Sequence, residues 1–253
     1  MKLISYNVNG IRSAINKGFV DWLMLENPDI IGLQEIKAQE KDIDASRFRD
    51  MGYELYFNPA VKKGYSGVAI FTKIKPKSIK FGMGLNKYDD EGRMIQADFD
   101  GFSFNSSYFP SGTTGDIRQR FKYEFLDDIY GYFQDLRREN PQLILSGDYN
   151  ICHKPIDIHN PISNKNTSGF LPDERAWMDK FTDSGFIDTF RHFNSRPHQY
   201  SWWSYRANSR SKNLGWRIDY HMATIALENR LKSAVILPDI IHSDHCPIML
   251  EIE

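Results

Sequence analysis

Short apolar runs that end in polar residues recur along the chain. Residues 3–7, 30–33, 53–57, 67–72, 94–99, 102–107, 143–146 and 248–252 have the length and the branched or aromatic content of strands. Other stretches carry helical spacing. Phe19, Val20, Trp22, Leu23 and Leu25 share one such pattern, which Asn27-Pro28 stops. Residues 115–140 form the longest, with Phe121, Phe125, Leu126, Ile129, Phe133 and Leu136 on one face and Pro141 beyond it. A third helix starts at Pro172-Asp173-Glu174, with acids in its first turn, and ends near Gly185. Residues 186–193 pack back onto the core. Residues 200–206 place aromatics at alternate positions and read as a further strand. The order strand, helix, strand over residues 3–33 is a βαβ-like unit, so the chain reads as α/β.

Composition narrows this picture. At 253 residues and 41 % hydrophobic content, the chain supports one large core, and no repeat or linker divides it. A single domain over 1–253 is expected. The formal net charge is −1, so any hold on a polyanion must come from local basic patches. The two cysteines, Cys152 and Cys246, lack metal-ligand spacing and read as reduced core thiols. No apolar run at the N-terminus has the form of a leader, and none approaches the ~20 residues of a membrane span. The expectation is a soluble cytoplasmic protein, nucleoid-associated in use if bacterial, with a monomer as the default.

The chemistry gathers where strands end. The run Leu143-Ile144-Leu145-Ser146-Gly147-Asp148-Tyr149-Asn150 is a strand, a glycine that frees the backbone to turn, then an acid and an amide. Such a motif alone is as well explained by a polar turn. Yet Asn7, Glu35, Tyr108, Asp219, Asp244 and His245 also stand at element ends. Several carboxylates close together need a cation or shared protons. One histidine has an aspartate to fix its tautomer. Oxygen donors without thiolates favour Mg²⁺ or Mn²⁺ over zinc. Metal-assisted phosphodiester hydrolysis is the reaction class that uses all these groups. Two basic, aromatic loops suit nucleic acid: residues 61–67 with Lys62, Lys63 and Tyr65, and the segment carrying Trp202, Arg206, Arg210, Lys212, Trp216 and Arg217. Trp203 reads as core.

The motifs Asn7-Val8-Asn9-Gly10, Leu33-Gln34-Glu35, Gly147-Asp148-Tyr149-Asn150, Gly215-Trp216-Arg217-Ile218-Asp219-Tyr220 and Ser243-Asp244-His245-Cys246-Pro247 are in the chain in that order. Together they resemble the exonuclease III family of abasic-site endonucleases, within the endonuclease/exonuclease/phosphatase superfamily. The resemblance runs from Lys2 to Ile252, and the stretch 200–220 is its most specific part. It implies a four-layer α/β sandwich, two mixed sheets face to face with helices outside. It implies a Mg²⁺-dependent repair endonuclease that cuts duplex DNA 5′ to an abasic site and leaves a 3′-hydroxyl, with 3′-exonuclease or 3′-phosphodiesterase action besides.

The resemblance also assigns roles. Asn7, Glu35, Asp148, Asn150, Asp244 and His245 would surround the metal, with Glu35 as principal ligand. Asp148 would position or deprotonate the attacking water and Asn150 would orient it. His245, polarised by Asp219, would hold the phosphate, and Tyr108 would contact it or assist the leaving oxygen. Asp148 and His245 both remain candidates for the base. Trp202, Trp216 and Ile218 would form the apolar pocket for the baseless sugar. Lys37, Tyr65, Arg93, Asn164, Arg210 and Lys212 would contact the DNA. Three positions depart from the pattern: Asn9 where some members carry Asp, and Ser111 and Thr167 where amides are frequent. A small-molecule phosphodiesterase of the same superfamily is a rival, as is a binding module without catalysis. The Trp-rich segment and the filled catalytic positions weigh against them.

Overall fold

A computed structural model describes residues 1–253. Twelve strands form two sheets: β1 Lys2–Asn7, β2 Ile30–Gln34, β3 Glu54–Asn58, β4 Val68–Thr72, β5 Ser78–Phe81, β6 Met94–Phe99, β7 Phe102–Tyr108, β8 Leu143–Asp148, β9 Phe186–Asp188, β10 Asp219–Thr224, β11 Leu231–Ile236 and β12 Ile248–Ile252. The sheet orders are β11-β12-β1-β2-β4-β3 and β5-β6-β7-β8-β10-β9. Each sheet has one parallel pair, β1 with β2 and β7 with β8, and is otherwise antiparallel. Parallel neighbours need a crossover, and helices supply both: Ile11–Asn16 with Phe19–Glu26 for the first, Asp116–Glu139 for the second.

Strand alternation builds the layers. Leu3, Ile30 and Val68 of one sheet meet Phe104, Ile144 and Ala223 of the other. On the outer faces, Ile4, Tyr6 and Ile31 pack on Phe19 and Leu23. Leu143, Leu145 and Met222 pack on Phe125, Ile129 and Trp177. The result is the four-layer sandwich the sequence implied. Cys152 and Cys246 are buried and unbonded, as expected.

Between the sheets the filling changes from apolar to polar toward one end. Inward positions two residues beyond the apolar ones are Ser5, Ser106 and Ser146, and those that follow are Asn7, Tyr108 and Asp148. Gln34 links the two sheets, bonding Ser5 at 3.3 Å and Ser106 at 2.9 Å. His221 accepts from the Ser146 hydroxyl at 2.6 Å and donates from Nε2 to the Ile248 carbonyl at 3.2 Å. Burial pushes the pKa of His221 down to about 4. An unfolded histidine titrates near ~6.5, so below that pH the unfolded chain takes up a proton that the folded one refuses. Stability is therefore expected to fall as pH drops from about 6.5 toward 4, by about 2 kcal/mol from this residue between pH 7 and 5. Urea unfolding of His221→Gln at both pH values tests this. A variant with the wild-type pH slope would rule it out.

The structure corrects several readings. Residues 200–206 are not a strand. Trp202 makes isolated bridges to Trp216 and His245, after which Ala207 and Asn208 turn the chain at φ 56° and 54°. Gly147 does not end β8, which continues to Asp148. Its role is close approach, because a Cβ there would lie 1.9 Å from the Ser107 carbonyl oxygen. Residues 186–193 divide into β9 and the helix Thr189–Phe193. Strands β5, β10 and β11 lacked a clear signal. β5 and β11 are edge strands with mixed exposure, and β10 turns Asp219 and His221 inward where an apolar residue is expected.

Candidate active site

The site forms where both sheets present their polar ends. Backbone geometry there is unusual: Asn9, Glu35 and Asn150 lie in the left-handed region at φ 45°, 48° and 53°. Asparagine tolerates this region, whereas for glutamate it is uncommon and must be held by its surroundings. Gly10 N–H donates to the Glu35 carbonyl at 2.7 Å, and Ile36 N–H donates to Gly67 at 3.1 Å. The turn after β2 is thus pinned between its neighbours.

Asn7 joins the two central acids. Its amide nitrogen donates to Glu35 at 2.9 Å and to Asp148 at 2.8 Å, and its oxygen accepts from Asn9 N–H at 3.0 Å. Asp148 also accepts from the Asn150 backbone at 2.8 Å and from the Asn150 amide at 3.3 Å. Burial dominates its titration, and despite the opposing His245 charge its pKa is pushed up to about 7, with Asp219 and Glu35 adding to the rise. Asp148 is thus a carboxylate poised to take a proton near neutrality.

His245 faces Asp148 across 3.8 Å and donates from Nδ1 to Asp219 at 2.9 Å. Ser201 fixes Asp219 in turn, its hydroxyl donating to the same carboxylate oxygen at 2.6 Å. Burial works against a charged imidazole, but Asp219, Asp148 and Asp244 outweigh it and push the pKa up to about 10. The surrounding carboxylates thus favour the protonated, hydrogen-bond-donating form of His245. Tyr108 is held by Arg93, whose guanidinium lies 4.7 Å from its ring centre and donates to its carbonyl at 3.0 Å. Burial, followed by the nearby Glu35 charge, raises the Tyr108 pKa well above 10, so the phenol keeps its proton.

Ligand atoms of Glu35, Asp148 and His245 all lie within 4.8 Å of one another. Of the six residues that the resemblance suggests for the metal, these three come together, and the other three are tied into hydrogen bonds around them. Asn7 commits its amide to two carboxylates. Asp244 has both oxygens taken, one by Asn9 at 2.9 Å and the other by the Trp202 indole at 3.0 Å. The Asn150 amide also donates to the Phe109 carbonyl at 3.0 Å. Glu35 and Asp148 are the carboxylates of this cluster; their oxygens accept from Asn7, Lys37 and Asn150, and the lone pairs that remain suit a hard divalent cation.

A cavity of ≈ 310 Å³ opens onto these groups. Its lining combines Glu35, Tyr108, Asp148, Asn150 and His245 with the apolar Trp202, Trp216 and Ile218, and the Trp202 ring lies 6.4 Å from that of His245. The two indoles meet edge to face, with centroids 6.0 Å apart. Trp203, as read from the sequence, is core, packed with Tyr200 and Cys246. Ser111, Thr113, Thr167 and Ser168 add hydroxyls to the rim.

The expected DNA contacts divide. Lys37 and Tyr65 line a recess of ≈ 180 Å³ together with Arg12, Lys41, Lys62 and Lys63, whose cations outnumber the one acid there, Asp42, and suit phosphates. Lys37 also pairs with Glu35 at 2.9 Å. Lys212 is exposed, and the Asn164 amide closes its own turn on the carbonyls of His159 and Asn160. Three arginines are engaged within the protein, two of them buried and Arg210 half-buried. Arg93 is buried and engaged with Glu91, Tyr65 and the Tyr108 carbonyl. Arg210 donates to the carbonyls of Ser243, Pro238 and Ile240 and so braces the His245 turn from behind. Arg217 is buried against Asp157 and Asp188. Each guanidinium satisfies protein acceptors that would otherwise be orphaned.

Two contributors went unread in the sequence. Ser201 follows Tyr200 in an aromatic stretch that drew attention only to its rings. Lys122 lies three and four residues before Phe125 and Leu126, on the buried face of its helix, and that spacing was the available signal.

Comparison with known proteins agrees with this architecture. Residues 4–245 match the model of the Endonuclease/Exonuclease/phosphatase family. An exodeoxyribonuclease of Bacillus subtilis is 41 % identical over 252 residues, spanning 99 % of this chain and 98 % of the relative. An AP endonuclease from Archaeoglobus fulgidus superposes with a TM-score of 0.91 at 30 % identity, over 100 % of this chain and 99 % of that one. A 3′ phosphatase from Neisseria, bound to a product DNA hairpin, gives a TM-score of 0.92 at 26 % identity, over 100 % and 99 % of the two chains.

Proposed function

The chain belongs to the endonuclease/exonuclease/phosphatase family, and we propose that within it the protein is a Mg²⁺- or Mn²⁺-dependent DNA repair nuclease. Its reaction is hydrolysis of the phosphodiester 5′ to an abasic site in duplex DNA, leaving a 3′-hydroxyl, and the same cavity processes blocked 3′ ends. The observation that carries this reading is one cavity lined both by the Asp148–His245 pair and by two tryptophans. The first is chemistry for a phosphate, the second a surface for a sugar without its base. A nucleotide that retains its base does not fit such a pocket, and an abasic one is also the easiest to extrude. The names of the relatives support a DNA substrate. All the groups come from one chain, consistent with action as a monomer.

Glu35 and Asp148 would hold the cation, which when bound supplies positive charge against the phosphate oxygens. The protein groups divide the remaining work. Asp148, oriented by Asn7 and Asn150, accepts the proton of the attacking water. The imidazolium of His245, kept charged and correctly turned by Asp219, donates to a non-bridging oxygen as negative charge builds there. Asn150 and the Tyr108 phenol add neutral donors, and the phenol faces the same cavity as a source of hydrogen bonding for the leaving oxygen. The carboxylates that favour a protonated His245 are the reason for proposing Asp148 as the base.

The test is a duplex carrying one tetrahydrofuran abasic analogue, which cannot undergo β-elimination. A single cut on its 5′ side is expected with Mg²⁺, and none with chelator; readdition of Mg²⁺ should restore it. Undiminished cutting in chelator would remove the metal from the reading. Binding without cutting in Mg²⁺ would leave a DNA-binding module instead.

A further inference from the structure

Behind the cavity lies an ion pair that the reaction does not use. Lys122, on the helix Asp116–Glu139, and Glu174, on the helix Pro172–Asp183, are both 0 % exposed. A buried pair of this kind is no general aid to stability, since desolvation offsets much of its attraction. Its connections are therefore informative. The Lys122 ammonium donates to Glu174 at 2.6 Å and to the backbone carbonyl of Asn150 at 2.8 Å. The other Glu174 oxygen accepts from Gly169 N–H at 2.6 Å and from Leu171 N–H at 3.0 Å. Gln119, one turn before Lys122, donates to Glu174 at 3.2 Å and accepts from the Ser168 hydroxyl at 2.7 Å.

This network reaches two stretches of the cavity lining, one at Asn150 and one at Ser168 and Gly169. Asn150 stands beside Asp148, while Ser168 and Gly169 lie on the rim beside Trp216. The fit is tight at Gly169, where a Cβ would come within 2.9 Å of the Trp216 ring and 3.1 Å of the Asn150 carbonyl oxygen. Without Lys122, the Asn150 carbonyl would lose its ammonium donor, and the residue would lose a restraint on its left-handed backbone at φ 53°.

The geometry points to Lys122 as a positioning residue: with Glu174 it sets Asn150 against the pocket wall and so fixes the site for the chemical step. This deepens the nuclease reading and rests on it. Misplacement of a reacting group by about 1 Å can cost on the order of 100-fold in rate.

The test uses the neutral pair Lys122→Met/Glu174→Gln in the full chain, with each single change for reference. The singles strand a buried charge and are expected to unfold at lower urea. The pair should regain most of the wild-type midpoint, because the oxygen of the introduced amide can still accept from the Gly169 and Leu171 N–H groups. Its kcat on the abasic-analogue duplex is nevertheless expected to fall about 10- to 100-fold, with KM little changed. Amide hydrogen exchange should speed up at Cys152, whose N–H donates to the Gly169 carbonyl at 2.7 Å, and at Phe170, whose N–H donates to Thr167 at 2.8 Å. A wild-type kcat in the stable pair would reduce the ion pair to scaffolding, and unchanged exchange at those amides would refute the positioning role whatever the rate. Should the wild-type protein prove inactive, the nuclease reading fails by itself. The exchange measurement still judges whether Lys122 holds the two stretches.

Discussion

Asp148→Asn is expected to lower kcat for cutting at an abasic analogue by about 10²- to 10⁴-fold, with duplex binding retained. The substitution keeps the shape and the hydrogen bond from the Asn150 backbone, but removes the proton acceptor. The proposed base is Asp148 on grounds of charge. The protonated form of His245 is favoured by Asp219, Asp148 and Asp244 despite its burial. Asp148 is shifted up to about 7 mainly by burial, so near neutrality it has both a large ionised fraction and real basicity. Asn7 and Asn150 leave it little freedom to rotate. Single-turnover rates with saturating Mg²⁺ provide the check, because they isolate the chemical step from product release. If Asp148→Asn retained a tenth of wild-type activity or more, the base would have to be elsewhere. His245→Gln tests the complementary role: a rate loss without a matching loss of duplex affinity is the expected sign of charge supplied mainly in the transition state.

Arg217→Met should destabilise the fold by about 3–5 kcal/mol, the usual cost of stranding a partner in a buried charge network. Arg217 is 1 % exposed and bonds Asp157 at 2.8 Å and Asp188 at 2.6 Å, while Arg191 reaches the same oxygen of Asp157 at 2.6 Å. Burial opposes ionisation of Asp157, but the two guanidinium groups prevail and hold its pKa down at about 2. Its contribution is therefore present above the unfolded carboxylate value of ~3.9 and is lost as pH falls through about 2. Arg217 also stands between Trp216 and Ile218, both on the cavity wall. The same change is expected to loosen that wall and raise KM for the abasic duplex. Urea unfolding at neutral pH measures the first effect, and kinetics well below the unfolding midpoint measure the second. A loss under about 1 kcal/mol would mean that Asp157 and Asp188 find other partners, Arg191 foremost.

Much of this was open to a reader of the residues. Strands β1, β2, β6, β8 and β12 and the two long helices follow from apolar period and proline stops, because burial against a second layer leaves a local imprint. The polar exits Asn7, Glu35, Tyr108, Asp148 and His245 were legible as a set, since so many acids and amides at strand ends are hard to explain as turns. The division of the basic residues was not. Arg93, Arg210 and Arg217 read as DNA contacts beside Lys37 and Lys212, yet the fold surrounds all three with protein acceptors. A guanidinium is the same group facing a phosphate or a carbonyl, and only its neighbours in space decide which.

By itself, then, the sequence determined the α/β class, the strand ends that carry chemistry and the motifs of the family to which the chain belongs, and the four-layer arrangement followed only from that resemblance. Those features are written in local period and residue type. The tertiary structure alone decided that the pKa values of His245 and Asp148 are raised, because both depend on burial and on carboxylates from distant parts of the chain. It alone turned Trp202 toward Asp244 rather than along a strand, and placed Lys122 behind Asn150. Distances between residues far apart in the chain have no local signature, and electrostatic energies follow those distances.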